Sequence, residues 1–259
     1  MEKLRFNSLT IKIIAMISMV TEHTLRALVT INKASFASVL AYSRVQTVAF
    51  FVLPVVRSIT FPLIVFSIIE DLTHTPKKNY PLWLGIFTLI AQIPFTMLFG
   101  DALLAGQRFL LNGMFASLLG SLMLLLYVRL YLSDASNEKK AKFWCIFISL
   151  LIIIVIGALI SGIYIEYGIS IFALVYMFYF VRNEKARRIV PIAIWGYFIF
   201  RASEHLSIQE YSLTSAGLII AALILLIYNG EWSEKTKYLL NGFYPVQLIV
   251  IAVVINVMF

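Results

Sequence analysis

One cysteine and three histidines in a chain of 259 residues leave little from which to build a disulfide framework or a metal centre. Cys145 lies in FWCIF at the head of an apolar run, where a buried, inert thiol is the plain expectation. His23 and His74 fall near opposite membrane faces in the topology that the loop charges imply. No other His/Cys spacing suits a metal, so none is expected. Charge is scarce as well: 13% of the residues are charged against 61% hydrophobic, with a mean hydropathy of +0.92. A soluble domain of this length would need more polar residues to cover its outside. The charge present leans positive, +8 from 21 Lys and Arg against 13 Asp and Glu. No basic–aromatic groove pattern accompanies it, so nucleic acid is not expected as a partner. Bases in short loops beside apolar stretches fit membrane topology and anionic headgroups instead. Internal repeats, low-complexity segments and linker-like stretches are missing too. Residues 1–259 therefore read as a single membrane-embedded domain.

What is abundant is apolar sequence in span-length runs, which points to an all-α polytopic membrane protein. The N-terminal run lacks a small-residue cleavage site and is followed by further spans, so it reads as a retained first helix. About nine transmembrane helices can be placed. The first covers roughly Leu9–Val29. The stretch Val39–Leu72, broken by Arg44, Gln46, Pro54 and Arg57, reads as a short re-entrant or surface helix followed by a span from about Ile59. Leu82–Phe99, Leu111–Leu132, Phe143–Ile163, Gly168–Val181, Ile189–Phe200, Leu213–Tyr228 and Leu239–Met258 complete the set. Gly168–Val181 and Ile189–Phe200 are short for a full crossing, a trait of helices that line cavities. Lys3 and Arg5, Lys77 and Lys78, Lys139, Lys140 and Lys142, then Arg182, Lys185, Arg187 and Arg188 mark every second loop. That alternation predicts a cytoplasmic N-terminus.

Charged groups inside hydrocarbon are costly and usually face protein or a water-filled interior. In MVTEHTLRAL, Glu22, His23 and Arg26 arrive together at the outer end of the first span. Glu22 and Arg26 are four apart in the acid-first order of an intrahelical pair. Adjacent residues diverge by about 100° on a helix, so Glu22 does not brace His23. His23 is then either a bystander or a base aimed into the bundle, since imidazole suits proton transfer near neutrality. Arg57, on the same outer side, is either a snorkelling interfacial base or an oxyanion clamp. Glu70 and Asp71 stand at the cytoplasmic exit of the second span with His74 one turn on, an interfacial polar cap ended by Pro76. Gln92, Asn112, Glu166 and Tyr167 fall toward the outer half. Each has an ordinary structural explanation, a helix cap for Asn112 and an interhelical bond for Gln92. Together with His23 and Arg57 they could line one polar pocket. His205 reads as a solvated loop residue.

Four stretches taken in order resemble the TraX family of membrane acetyltransferases, whose founding activity is N-acetylation of conjugative pilin. They are LTIKIIAMISMVTEH; RSITFPLIVFSIIEDLTHT running on to AQIPF; LNGMFASLLG with IEYG; and LIYNGEWSEKTKYLLNGFYPVQL. The chain is more distantly similar to the broad membrane acyltransferase group whose first helix ends in a functional histidine. The resemblance implies acetyl transfer from acetyl-CoA to an amine or hydroxyl of a secreted or membrane-associated acceptor, such as a pilin-like subunit, a peptide or a glycan. It implies His23 as the acid–base residue, with Glu22 and Arg57 beside it. It also implies a substrate pocket drawing on Glu70, Gln92, Asn112, Glu166, Tyr167, Tyr244 and Gln247. Lys139, Lys140, Arg187 and Arg188 are candidates for the cofactor phosphates, and the bacterial inner membrane is the implied location. Three positions depart from the family pattern. Glu22 and Glu166 stand where it has Asp, and Gln247 stands where it commonly has His. A glutamine cannot take a proton at neutral pH.

Two other classes are compatible with the composition. A small transporter would show repeated halves and paired broken helices, which this sequence lacks. A membrane chaperone, assembly or export component for a secreted peptide needs no base and would tolerate Gln247.

Overall fold

The computed structural model describes residues 6–30, 39–75, 79–103, 109–133, 163–165, 168–181, 183–202 and 207–258. These form eight α-helices: α1 (Ser8–Thr30), α2 (Val39–His74), α3 (Asn79–Leu103), α4 (Met114–Ser133), α5 (Gly168–Phe180), α6 (Glu184–Ala202), α7 (Ile208–Ile227) and α8 (Leu239–Met258). Two three-residue strands, β1 (Phe109–Leu111) and β2 (Ile163–Ile165), pair in parallel with Phe109 opposite Ile163. The sequence gives no sign of that ladder. Helices satisfy every backbone polar group internally, which is what apolar surroundings demand. Five of them are long and apolar enough to cross a membrane: α1, α2 from Ser43, α3, α7, and α8 with the turn before it. The protein is a polytopic helical membrane protein. The expected span Phe143–Ile163 lies almost wholly outside the described residues.

The second span differs from expectation. Instead of a surface helix followed by a separate span, residues 39–74 form one helix of 36 residues with Pro54 and Pro62 inside it. Each proline lacks an N–H and frees a carbonyl on the preceding turn. Hydroxyls crowd this part of the helix: Ser58 Oγ donates to the Pro54 carbonyl at 2.7 Å and Thr60 Oγ1 to that of Val56 at 2.8 Å. Packing against α1 and α7 carries the helix through a sequence that, read alone, invites a break.

Outward faces are strongly apolar. On α8, Val246, Val250, Val253 and Val257 are exposed, as are Leu89, Ile93 and Met97 on α3. Water would not tolerate stripes of this size, whereas lipid does. The inner face of α1 carries Ile11, Lys12, Ala15, Met19, Glu22, His23 and Ala27, all buried, at helical spacing. Close approach of α2 and α7 depends on Gly217: a Cβ there would meet the Val55 carbonyl oxygen and lie 2.8 Å from Ser58 Cβ. Gly217→Ala is expected to cost about 1–3 kcal/mol through overpacking, read as a lowered unfolding midpoint in detergent. An unchanged midpoint would show that the two helices can separate at no cost.

Candidate functional site

Polar side chains inside the bundle gather in two layers, one near each end of the α1–α2 pair. In the first, Glu22 and His23 leave α1 in diverging directions, as adjacent helical residues must. Glu22 Oε1 accepts from Arg57 Nε on α2 at 3.4 Å, so the carboxylate's partner lies on the neighbouring helix and not at Arg26 one turn along. Arg26 instead places its guanidinium 4.4 Å from the centroid of the Phe99 ring on α3, a cation–π geometry. His23 turns toward α8. Its Nδ1 lies 2.9 Å from the Met19 carbonyl oxygen and 3.1 Å from Gln247 Nε2. The Tyr244 ring meets the imidazole edge-on at 5.7 Å, and Phe99 lies 6.0 Å away. Glu22 is 1% exposed and His23 4%, so this is protein interior and not an interfacial fringe.

Glu22, His23 and Tyr244 face a narrow cleft framed by α1, α2, the start of α4, α5 and α8. Glu22, His23, Thr60, Ser117 and Tyr244 supply its polar atoms. Glu22 Oε2 has no hydrogen-bond partner among the described residues. A buried carboxylate oxygen facing a cleft is a ready acceptor for an N–H or O–H donor from outside. Gln92 and Asn112 serve this cleft at one remove. Gln92 Oε1 accepts from both the backbone N and Nδ2 of Asn112 at 3.0 Å. Asn112 Oδ1 in turn accepts from Met114 N at 3.1 Å, a side-chain cap on α4. The pair thus fixes the α4 turn that forms part of the wall.

The second layer contains Glu70, and sequence reasoning missed most of it. Lys12, fully buried on α1, forms a 2.7 Å ion pair with Asp71 and a 2.8 Å bond to the Thr236 carbonyl. Trp232 Nε1 donates to the same Asp71 oxygen at 2.9 Å. Asp71 is therefore a buried counter-ion and not part of an interfacial cap. Beside it Glu70 pairs with Arg187 on α6 and accepts from the Tyr228 hydroxyl at 3.2 Å. Burial, with the neighbouring Glu70 carboxylate, pushes the Tyr228 phenol above its usual range, so it remains a donor. Arg188 lies over the Tyr228 ring at 5.5 Å, and His74 stacks on Trp232 at 5.1 Å. The signal for Lys12 was in the sequence: a lone base in an apolar helix needs an internal partner, and Asp71 is the acid that α2 presents at that depth. The separation of the layers, ten residues along α1 from Lys12 to Glu22, is about 15 Å.

The structure thus brings Glu22, His23, Arg57, Tyr244 and Gln247 together, with Gln92 and Asn112 supporting the same cleft. It puts Glu70, Arg187 and Arg188 in the other layer. Lys139, Lys140, Glu166 and Tyr167 lie outside the described residues. No curated protein sequence and no solved structure matches the chain. A family model described as TraX protein matches residues 8–255. That match runs through both polar layers and all eight helices, and the chain belongs to the TraX family.

Proposed function

We propose that the protein is a membrane acetyltransferase that moves an acetyl group from acetyl-CoA to an amine or hydroxyl of a secreted or membrane-associated acceptor, with His23 as the base. The observation that carries this reading is the buried His23, held through Nδ1 and lining a cleft beside the Glu22–Arg57 pair. With Nδ1 engaged, proton transfer falls to Nε2. The acceptor's nitrogen or oxygen bonds to the acetyl carbon while its proton passes to Nε2. The carbon–sulfur bond then breaks, and the Nε2 proton leaves with the thiolate. Arg57 supplies positive charge for the oxyanion formed in between. The surrounding hydrocarbon keeps that interaction strong. Glu22 holds Arg57 with one oxygen and offers the other to the acceptor.

In this reading Arg187 and Arg188 bind cofactor phosphates together with Lys139 and Lys140. A guanidinium has five N–H donors, so Arg187 can keep Glu70 while taking a phosphate oxygen. The protein would sit in the bacterial inner membrane, and a pilin-like subunit, peptide or glycan would be the acceptor. Purified protein incubated with radiolabelled acetyl-CoA and secreted peptides from a deletion strain is expected to transfer label to an acceptor. Absence of both transfer and cofactor binding would instead favour a membrane assembly or export component.

A further inference from the structure

The two neighbours of His23 Nδ1 make opposite demands on it. The Met19 carbonyl oxygen at 2.9 Å can only accept a hydrogen bond, while Gln247 Nε2 at 3.1 Å can only donate one. A single ring nitrogen cannot serve both. At the other end of the same amide, Gln247 Oε1 is buried with no hydrogen-bond partner among the described residues. The two ends of a glutamine amide are nearly equal in size, and the network around them decides which way it points. Turning the amide by half a revolution puts Oε1 against Nδ1. The ring N–H then finds acceptors in both Met19 and Gln247, and the conflict disappears.

We propose that Gln247 is the positioning residue of His23. With its amide oxygen toward Nδ1, it fixes the Nδ1–H tautomer, directs the Nε2 lone pair to the acceptor, and stabilises the imidazolium formed during transfer. The inference rests on the reading of His23 as the base, and deepens it. The proton taken from the acceptor resides on Nε2 until the thiolate leaves with it, and Nδ1–H never dissociates. An orienting partner of this kind controls the rate because an imidazole in the wrong tautomer presents a proton where a lone pair is needed. A glutamine does this as a dipole, with no proton of its own to exchange. Among the described residues, the charged and titratable side chains packed near the ring include Glu22 and Arg26 on α1, Arg57 on α2 and Tyr244 on α8.

The test uses the full-length protein in lipid nanodiscs with 15N-labelled histidine, a His23→Ala sample identifying the His23 signals. The wild type is expected to show a protonated Nδ1 and an unprotonated Nε2. An Nε2-protonated ring would overturn the proposal, whatever the variants do. Gln247→Leu is expected to lower kcat of acetyl transfer by about ten- to a hundredfold while leaving KM within about threefold. Gln247→Glu keeps an acceptor and adds a charge that favours the imidazolium. It is expected to restore much of kcat and to move the acid limb of the rate profile at least about one unit toward higher pH. A folded Gln247→Glu protein with the wild-type profile would also overturn it. The tautomer measurement needs no turnover. A His23→Ala variant that still transfers acetyl would refute the base reading separately from the role of Gln247.

Discussion

His23→Ala is expected to abolish measurable acetyl transfer, with a loss of about 10²–10⁴-fold, the usual contribution of a positioned general base. No other described side chain lining the cleft replaces it. Tyr244 packs edge-on against the ring, and Glu22 is committed through Oε1 to Arg57. Removing the imidazole also deletes the partner of Gln247, so a stability control is needed. Monodispersity and thermal midpoint in detergent should be compared with wild type. His74→Ala removes a partly exposed ring in the other layer and is expected to retain substantially more activity. A well-folded His23→Ala protein with normal transfer would end the assignment.

Lys12→Met alone is expected to lower stability by about 3–5 kcal/mol, the typical cost of leaving one member of a buried ion pair behind. Asp71 would keep Trp232 as a donor but lose its counter-ion. Asp71→Asn should cost a similar amount, because Lys12 would retain the Thr236 carbonyl with only a neutral amide opposite. The double change Lys12→Met with Asp71→Leu removes both charges and is expected to recover most of the loss. The coupling in this double-mutant cycle measures the pair itself. Additive midpoints in detergent would show that the pair carries little. The prediction is independent of catalysis, since the layer lies about 15 Å along α1 from the His23 layer.

Much of the bundle was legible because apolar runs of span length have few alternatives in a bilayer. Seven of the expected spans correspond to described helices within about five residues at each end. The sequence misled at α2, where Pro54, Arg57 and Pro62 look like reasons to stop. Packing on two neighbouring helices outweighs them. Glu22 and Arg57 both stood out as ionisable residues in apolar surroundings. Their pairing did not, because local spacing favours Arg26 and only the placement of α2 puts Arg57 closer. Lys12 escaped because a single lysine near a helix start passes for a topology signal. The polar contacts of Gln247 were invisible for a different reason: they depend on the rotation of α8 about its own axis, which its apolar sequence constrains only loosely.

The unbroken α2 has one more consequence. Thirty-six residues at about 1.5 Å each make a rod of roughly 54 Å, against a hydrocarbon layer of about 30 Å. Tilting alone would need an inclination of about 56°, beyond the roughly 40° that membrane helices reach. Part of the rod must therefore stand in the headgroup layer. Its two ends differ in kind: Glu70 and Asp71 are locked in protein, while Ser43, Arg44, Gln46 and Thr47 are exposed. The helix that carries Arg57 thus also presents an exposed polar stretch, Ser43 to Thr47, near its N-terminal end.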